Sequence, residues 1–176
     1  MKKILVVSAL IMVLAIFSAS ANAQNITKGF KQVELVVNYD PDTYSGSEFY
    51  AEGSYGYFFR DYLMVGVGLA YLKDDYVTAF NPQLFAEKLF PVGSPFVPFV
   101  TAGIGYYSSD IDIDSTSVSQ SAFIIGGGGG VKYFVNESVA IQGRARYLYA
   151  TDDVFSDKDD ASDTDFRIDV GIIFYF

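Results

Sequence analysis

Histidine and cysteine are both missing from the 176 residues. Without an imidazole or a thiol the chain cannot assemble Ser-His, Cys-His or Asp-His chemistry, which excludes most hydrolytic mechanisms built on those pairs. Zero cysteine also excludes a disulfide framework and a thiol that could carry a lipid anchor. Cationic residues are scarce, 12 Lys and Arg against 21 Asp and Glu, and the net charge of −9 argues against a nucleic-acid partner. Beyond the first two dozen residues no run of eighteen uninterrupted apolar residues occurs, so no membrane-spanning helix is encoded.

What is present begins with a leader. Lys2 and Lys3 form a basic start, residues 4–17 an apolar run, and Ala21-Asn22-Ala23 an A-x-A cleavage site, which together predict a secretory signal peptide over residues 1–23. The run is about fourteen residues long, short of the roughly twenty that a spanning helix needs. Cleavage leaves residues 24–176, enough for one domain, and removal of Lys2 and Lys3 takes the net charge from −9 to −11.

The dominant pattern in those residues is alternation. In the last thirteen, Phe166, Ile168, Val170, Ile172, Phe174 and Phe176 fall on one face, and Asp165, Arg167, Asp169, Gly171, Ile173 and Tyr175 on the other. A period of two is a strand. An apolar face that runs to a terminal Phe176 with no polar tail suits a strand that meets lipid. The same alternation predicts further strands over about 31–39, 48–59, 63–71, 79–90, 99–106, 121–135 and 139–150. The fourth is interrupted by Pro82, which cannot donate to a ladder. Connections are expected to alternate long and short, with loops at 73–78, 108–120 and 151–163 and turns at 60–61, 91–95 and 136–137. A barrel is the other way, besides a helix, to satisfy backbone polar groups in lipid. The expected fold is therefore all-β, an eight-stranded antiparallel up-and-down transmembrane β-barrel, with long loops extracellular and both termini periplasmic.

Pro98-Phe99-Val100-Thr101-Ala102-Gly103-Ile104-Gly105-Tyr106, Gly128-Gly129-Gly130-Val131-Lys132-Tyr133-Phe134, Arg144-Ala145-Arg146-Tyr147 and the final strand resemble the small outer-membrane β-barrel family of OmpA/OmpX type. The likeness covers nearly all of the mature chain, and no peptidoglycan-binding module follows the barrel, so the barrel-only members are the closer comparison. It implies location in a bacterial outer membrane, contact with membrane lipid and lipopolysaccharide, and a monomer. The ending Gly171-Ile172-Ile173-Phe174-Tyr175-Phe176 is similar to the terminal signal of such barrels. The resemblance implies that Gly171, Phe174 and Phe176 are read as an unpaired edge by the barrel assembly machinery, a case of β-augmentation.

Few residues suggest chemistry. Gly126 to Gly130 lack the helix start that a phosphate cradle relies on, so a crowded or bent strand is expected. Asp110, Asp112 and Asp114 stand at the first, third and fifth positions of an EF-hand-like loop, but Ser115 replaces the turn glycine and Ser121 the bidentate glutamate. They remain candidate cation contacts only. The acidic segment around Asp152, Asp153, Asp157, Asp159, Asp160 and Asp163 reads as a solvated loop able to share divalent cations with lipopolysaccharide. Paired carboxylates are abundant, yet glycosidase chemistry needs a sugar cleft, and an eight-stranded barrel is only wide enough to be filled by its own side chains.

If every polar face points inward, Glu34, Glu52, Glu87 and Asp169 meet Lys132, Arg144, Arg146 and Arg167 in the lumen, four against four. Asp169 is expected beside Arg144 or Arg146. With Phe58, Met64, Phe85 and Leu148 in the same space, these residues predict a plug. The functional expectation is a structural or surface-interaction protein without a cofactor or catalytic residue. A narrow channel is the alternative, and a lipid-modifying enzyme using carboxylates and tyrosines the third.

Overall fold

The computed structural model describes residues 26–43, 46–74, 77–113, 116–157 and 160–176. The leader lies outside them. Ten strands follow one another: β1 (Lys31–Thr43), β2 (Gly46–Arg60), β3 (Leu63–Lys73), β4 (Val77–Leu89), β5 (Phe96–Ile113), β6 (Thr116–Phe134), β7 (Val139–Ala150), β8 (Phe155–Asp157), β9 (Asp160–Ser162) and β10 (Thr164–Tyr175). Eight close into one antiparallel barrel in the order β1-β10-β7-β6-β5-β4-β3-β2, and β8 and β9 make a separate small hairpin.

The alternating pattern fixes which way each residue points, because successive side chains leave opposite faces of a strand. Outside lie Val67 at 52% and Ile168 at 72% exposure, with Leu35, Leu84, Ile104, Ile125 and Phe174 also exposed. Inside lie Phe58, Met64 and Phe134, all fully buried, together with polar Gln32, Glu34, Glu52, Glu87, Lys132, Gln142, Arg144, Arg146 and Asp169. Hydrophobic residues outside and ions inside is the inverse of a water-soluble barrel. It is the arrangement a hydrocarbon solvent selects.

Two rims result. The near rim holds the turns 61–62, 90–95 and 135–138 and both described ends of the chain; the far rim holds Thr43 and Gly46, Asp74 and Val77, Ile113 and Thr116, and residues 151–157 and 160–163. Inside the near rim Phe58, Met64, Leu89, Val97, Phe99, Phe134, Ala140, Ile173 and Tyr175 pack together with Ile26. Ala122, Ile124, Ala150 and Phe155 cluster inside the far rim, against Tyr107, Leu148 and Val154.

Several expected loops are strand instead. In the acidic segment, residues 108–113 and 116–120 are the outer part of the β5 and β6 ladder, which stays in register to Ile113↔Thr116. Its own alternation, Ile111 and Ile113 opposite Val118 and Thr116, supports pairing, and the Ser119 hydroxyl donates to Asp110 Oδ1 at 2.7 Å. Likewise β1 and β2 continue to Thr43↔Gly46, past the expected strand ends. Of the segment expected at 73–78, Lys73 ends β3 and Val77 and Thr78 begin β4, and the two strands pair through Lys73↔Thr78. Pro82 is accommodated within β4: the β4–β5 ladder skips Asn81 and Pro82, then resumes in the same register at Phe80↔Ser108. The missing N–H is tolerated because only one ladder loses a bond. The β8–β9 hairpin lies within the expected loop 151–163.

The seam between the first and last strands is the shortest ladder of the barrel. Its register runs from Gln32↔Tyr175 to Val36↔Gly171, five pairs, whereas β10 and β7 share eleven, Thr164↔Tyr149 to Phe174↔Val139.

Candidate functional site in the barrel lumen

The inward faces of β1, β2, β7 and β10 carry most of the lumen's ionised side chains; β4 and β6 add Glu87 and Lys132, and inward glycines on β3, β5 and β6 leave room beside them. Arg144 on β7 lies at the centre. Its guanidinium sits 3.4 Å from Glu34 on β1, 3.1 Å from Glu52 on β2 and 3.4 Å from Asp169 on β10. Two residues on, Arg146 reaches Glu52 at 2.8 Å and Asp169 at 2.7 Å. The same Arg146 donates to the Tyr50 hydroxyl at 3.2 Å, and that hydroxyl donates to Glu52 Oε2 at 2.5 Å. Glu34 also accepts from the Gln142 amide and from Ser54 Oγ, the latter at 3.5 Å. Two guanidiniums thus hold three carboxylates, with neutral donors filling remaining lone pairs. Buried ions need such a shell, since an isolated one carries a desolvation penalty of several kcal/mol.

A second group lies nearer the short-turn rim. Lys132 on β6 is fully buried and donates to Glu87 on β4 at 2.5 Å, to Gln32 on β1 at 3.1 Å and to the Tyr175 hydroxyl on β10 at 3.3 Å. Its ammonium also lies 5.0 Å from the centre of the Phe99 ring. Arg167 stands apart toward the far rim, where it pairs with Asp165 and lies over the rings of Tyr50 and Phe155 at 5.4 and 5.8 Å. Asp165 was not among the anticipated charges, although it shares the inward parity of Asp169. The count becomes five carboxylates to four cations. The neutral partners Tyr50, Ser54, Gln32, Gln142 and Tyr175 were also missed; parity alone places them inside but cannot select them as partners.

Beside the arginines, on the neighbouring strand β6, the wall is bare: Gly128 pairs with Arg146 and Gly130 with Arg144. A Cβ on Gly128 would fall 2.1 Å from the Ala145 carbonyl oxygen and one on Gly130 2.0 Å from that of Gly143, so β6 approaches β7 where only glycine fits. This bare wall leaves a cavity of about 70 Å³ between Arg144, Arg146 and Arg167 on one side and Asn81, Gln83 and Gly103 on the other, under Phe155. It is roomy enough for a few water molecules, each needing at least about 10–15 Å³ of such space.

The remaining anticipated residues are placed elsewhere. Gly171 faces inward, where a Cβ would stand 3.0 Å from Val36 Cγ2 and 3.3 Å from Glu34 Oε1, so its lack of a side chain makes room for the Glu34 carboxylate. Phe174 and Phe176 face outward, and the backbone of Phe176 exchanges two hydrogen bonds with Lys31 at 2.9 and 3.1 Å. Asp110 and Asp112 are ladder residues of β5, opposite Ser119 and Ser117, which corrects the EF-hand-like loop: an extended strand does not wrap around a cation. Asp114 lies outside the described residues. Among the described residues no group of three or more carboxylates is arranged to hold a metal ion.

A closed barrel of eight antiparallel strands, apolar outside and ion-paired within, defines the class of small transmembrane β-barrels. The family description "Outer membrane protein beta-barrel domain" matches residues 9–174, and the chain belongs to that family. Among solved structures it is similar to the N-terminal β-barrel domain of Pseudomonas aeruginosa OprF, at 19% identity and a TM-score of 0.64, covering 85% of this chain and 98% of that one. It is also similar to Neisserial surface protein A, at 19% identity and a TM-score of 0.62, with 84% and 96% covered. A third likeness is to OprG of Pseudomonas aeruginosa, at 16% identity and a TM-score of 0.57, with 88% and 99% covered. At these identities the likeness concerns the fold. No curated protein matches the chain in sequence.

Proposed function

We propose that this outer-membrane barrel is a closed, non-enzymatic scaffold that presents its far-rim hairpins at the cell surface. The observation that carries the reading is the pair Arg144 and Arg146, which ties three carboxylates across the lumen between two apolar rim clusters. Such a lumen offers ions no continuous water path. The far rim, with Asp110, Asp152 and Asp153 exposed, then faces outward from the cell, where divalent cations bridge it to anionic lipopolysaccharide; the ends of the chain face the periplasm. The barrel acts as a monomer, because its eight strands close on themselves. The test is ion conductance in planar bilayers: the wild type is expected to be silent, and replacement of both arginines to destabilise the barrel and open a leak. Steady, large conductance of the wild type, unchanged in the double variant, overturns the closed scaffold.

One observation favours a second reading, a narrow channel. The cavity beside Arg146 is reached by the side chains of Arg144, Arg167, Asn81 and Gln83, and opening of the two rims would connect it to water. Lipid A mass with and without the gene tests the remaining enzymatic alternative, and an altered mass would establish it.

A further inference from the structure

We propose that residues 26–30 are a closing strap that seals the near rim by docking on the β2–β3 turn. The inference rests on the closed-lumen reading and specifies which part of the closure is removable. Ile26 belongs to no strand, yet it is 1% exposed and packs in the rim cluster with Phe58, Phe134 and Tyr175. Four backbone contacts hold the segment. Tyr62 N donates to the Ile26 carbonyl at 3.2 Å, Gly29 N to the Phe58 carbonyl at 2.8 Å, and Phe58 N to the Phe30 carbonyl at 2.9 Å. Lys28 N donates to Asp61 Oδ1 at 2.8 Å.

The receiving turn is shaped for this contact. Tyr62, at φ 60°, is the one non-glycine with positive φ among the described residues, a conformation a bulky side chain rarely adopts. That conformation lets its N–H meet Ile26 while its carbonyl accepts from Leu89 N at 2.9 Å. Strain of this kind persists only where surrounding contacts hold it, and here the strap supplies one of them. Within the strap, Gly29 at φ 99° reverses the chain so that Phe30 returns to Phe58 and Lys31 enters the seam against Phe176. One short segment therefore ties the end of β2, the β2–β3 turn and the joint between first and last strands.

A strand in the barrel wall cannot leave without breaking a ladder on each side. The strap is held by four hydrogen bonds, buried Ile26 and half-buried Phe30, so it opens at less cost than a strand of the wall. Ile26 also lies three residues beyond Ala23, the expected end of the leader, and a pull on the mature N-terminus acts on it directly.

The absence of native cysteine allows an unambiguous probe. Ala140 on β7 is fully buried in the same rim cluster, and Ala140→Cys, refolded into detergent micelles, reports access through labelling by a water-soluble maleimide. The strapped protein is expected to react slowly, and addition of Ile26→Asp or removal of residues 24–30 to speed labelling about tenfold or more, as a local opening would. Asp61→Ala removes one strap contact from an exposed position and is expected to give a smaller acceleration with the fold kept, judged by the heat-dependent shift in SDS gels. Equal labelling rates in folded Asp61→Ala and in its parent, or a parent that already labels rapidly, overturn the strap. Conductance of the same samples separates the two readings: a conducting parent with slow labelling removes the closed lumen and keeps the strap, whereas slow labelling in every folded variant does the reverse.

Discussion

Outward apolar residues and inward glycines respond to opposite demands. Val67 and Ile168 point from mid-strand into lipid, so Val67→Lys or Ile168→Arg should each cost about 2–4 kcal/mol, read as a shift in urea unfolding from lipid vesicles. Gly128 is constrained by the Ala145 carbonyl; Gly128→Ala should destabilise by about 1–3 kcal/mol, the usual range for overpacking. Gly143 makes the contrast. A Cβ there meets nothing within 4 Å, and Gly143→Ala should be neutral or stabilise by up to about 1 kcal/mol, because glycine weakens a strand. The sequence shows a run of five glycines without showing which carbonyl each one avoids, since that depends on the register of β6 against β7. By contrast the side of each residue, in or out, follows from its parity along the strand, and this is why Glu34, Glu52, Glu87, Asp169, Lys132, Arg144, Arg146 and Arg167 were identifiable as lumen residues.

Strand identity was legible from alternation, but strand length was not. Polarity ends the apolar belt near Ser108, and that change resembles a loop; yet the backbone goes on pairing to Ile113, because hydrogen bonding between strands needs no apolar face. Asp110 and Ile111 still pair with β4, whereas Asp112↔Ser117 and Ile113↔Thr116 pair only within the hairpin. Removal of residues 112–117 and reclosure at Ile111 and Val118 should therefore change stability by less than about 1 kcal/mol, as expected when a surface loop is shortened. The last strand behaves differently. Deletion of Phe176, or Phe176→Asp, should slow insertion in cells far more than folding into lipid in vitro, compared by pulse-chase and by gel shift; equal slowing would leave Phe176 a packing residue. The strap was not legible at all, because five residues with no periodicity carry no strand signal.

The whole molecule has its apolar surface outside, so the mature chain should fold only in detergent or lipid and resist SDS until heated; a soluble monomer formed without amphiphile would contradict the membrane reading. Its lumen, in turn, is divided along the chain. Glu34 and Glu52 belong to the first two strands and Arg144 and Arg146 to β7, so their bridges span the five-pair seam from inside. Before the ring shuts, the opening hairpin of the chain presents carboxylates and its penultimate strand presents guanidiniums, and these attract one another across a gap bordered by hydrocarbon, where counterions do not enter to screen them. Attraction between the two ends of the chain is then expected to help the ring close, so Arg144→Gln with Arg146→Gln should slow folding into lipid vesicles, read by gel shift, and an unchanged rate would show that the ions meet only after the seam has formed.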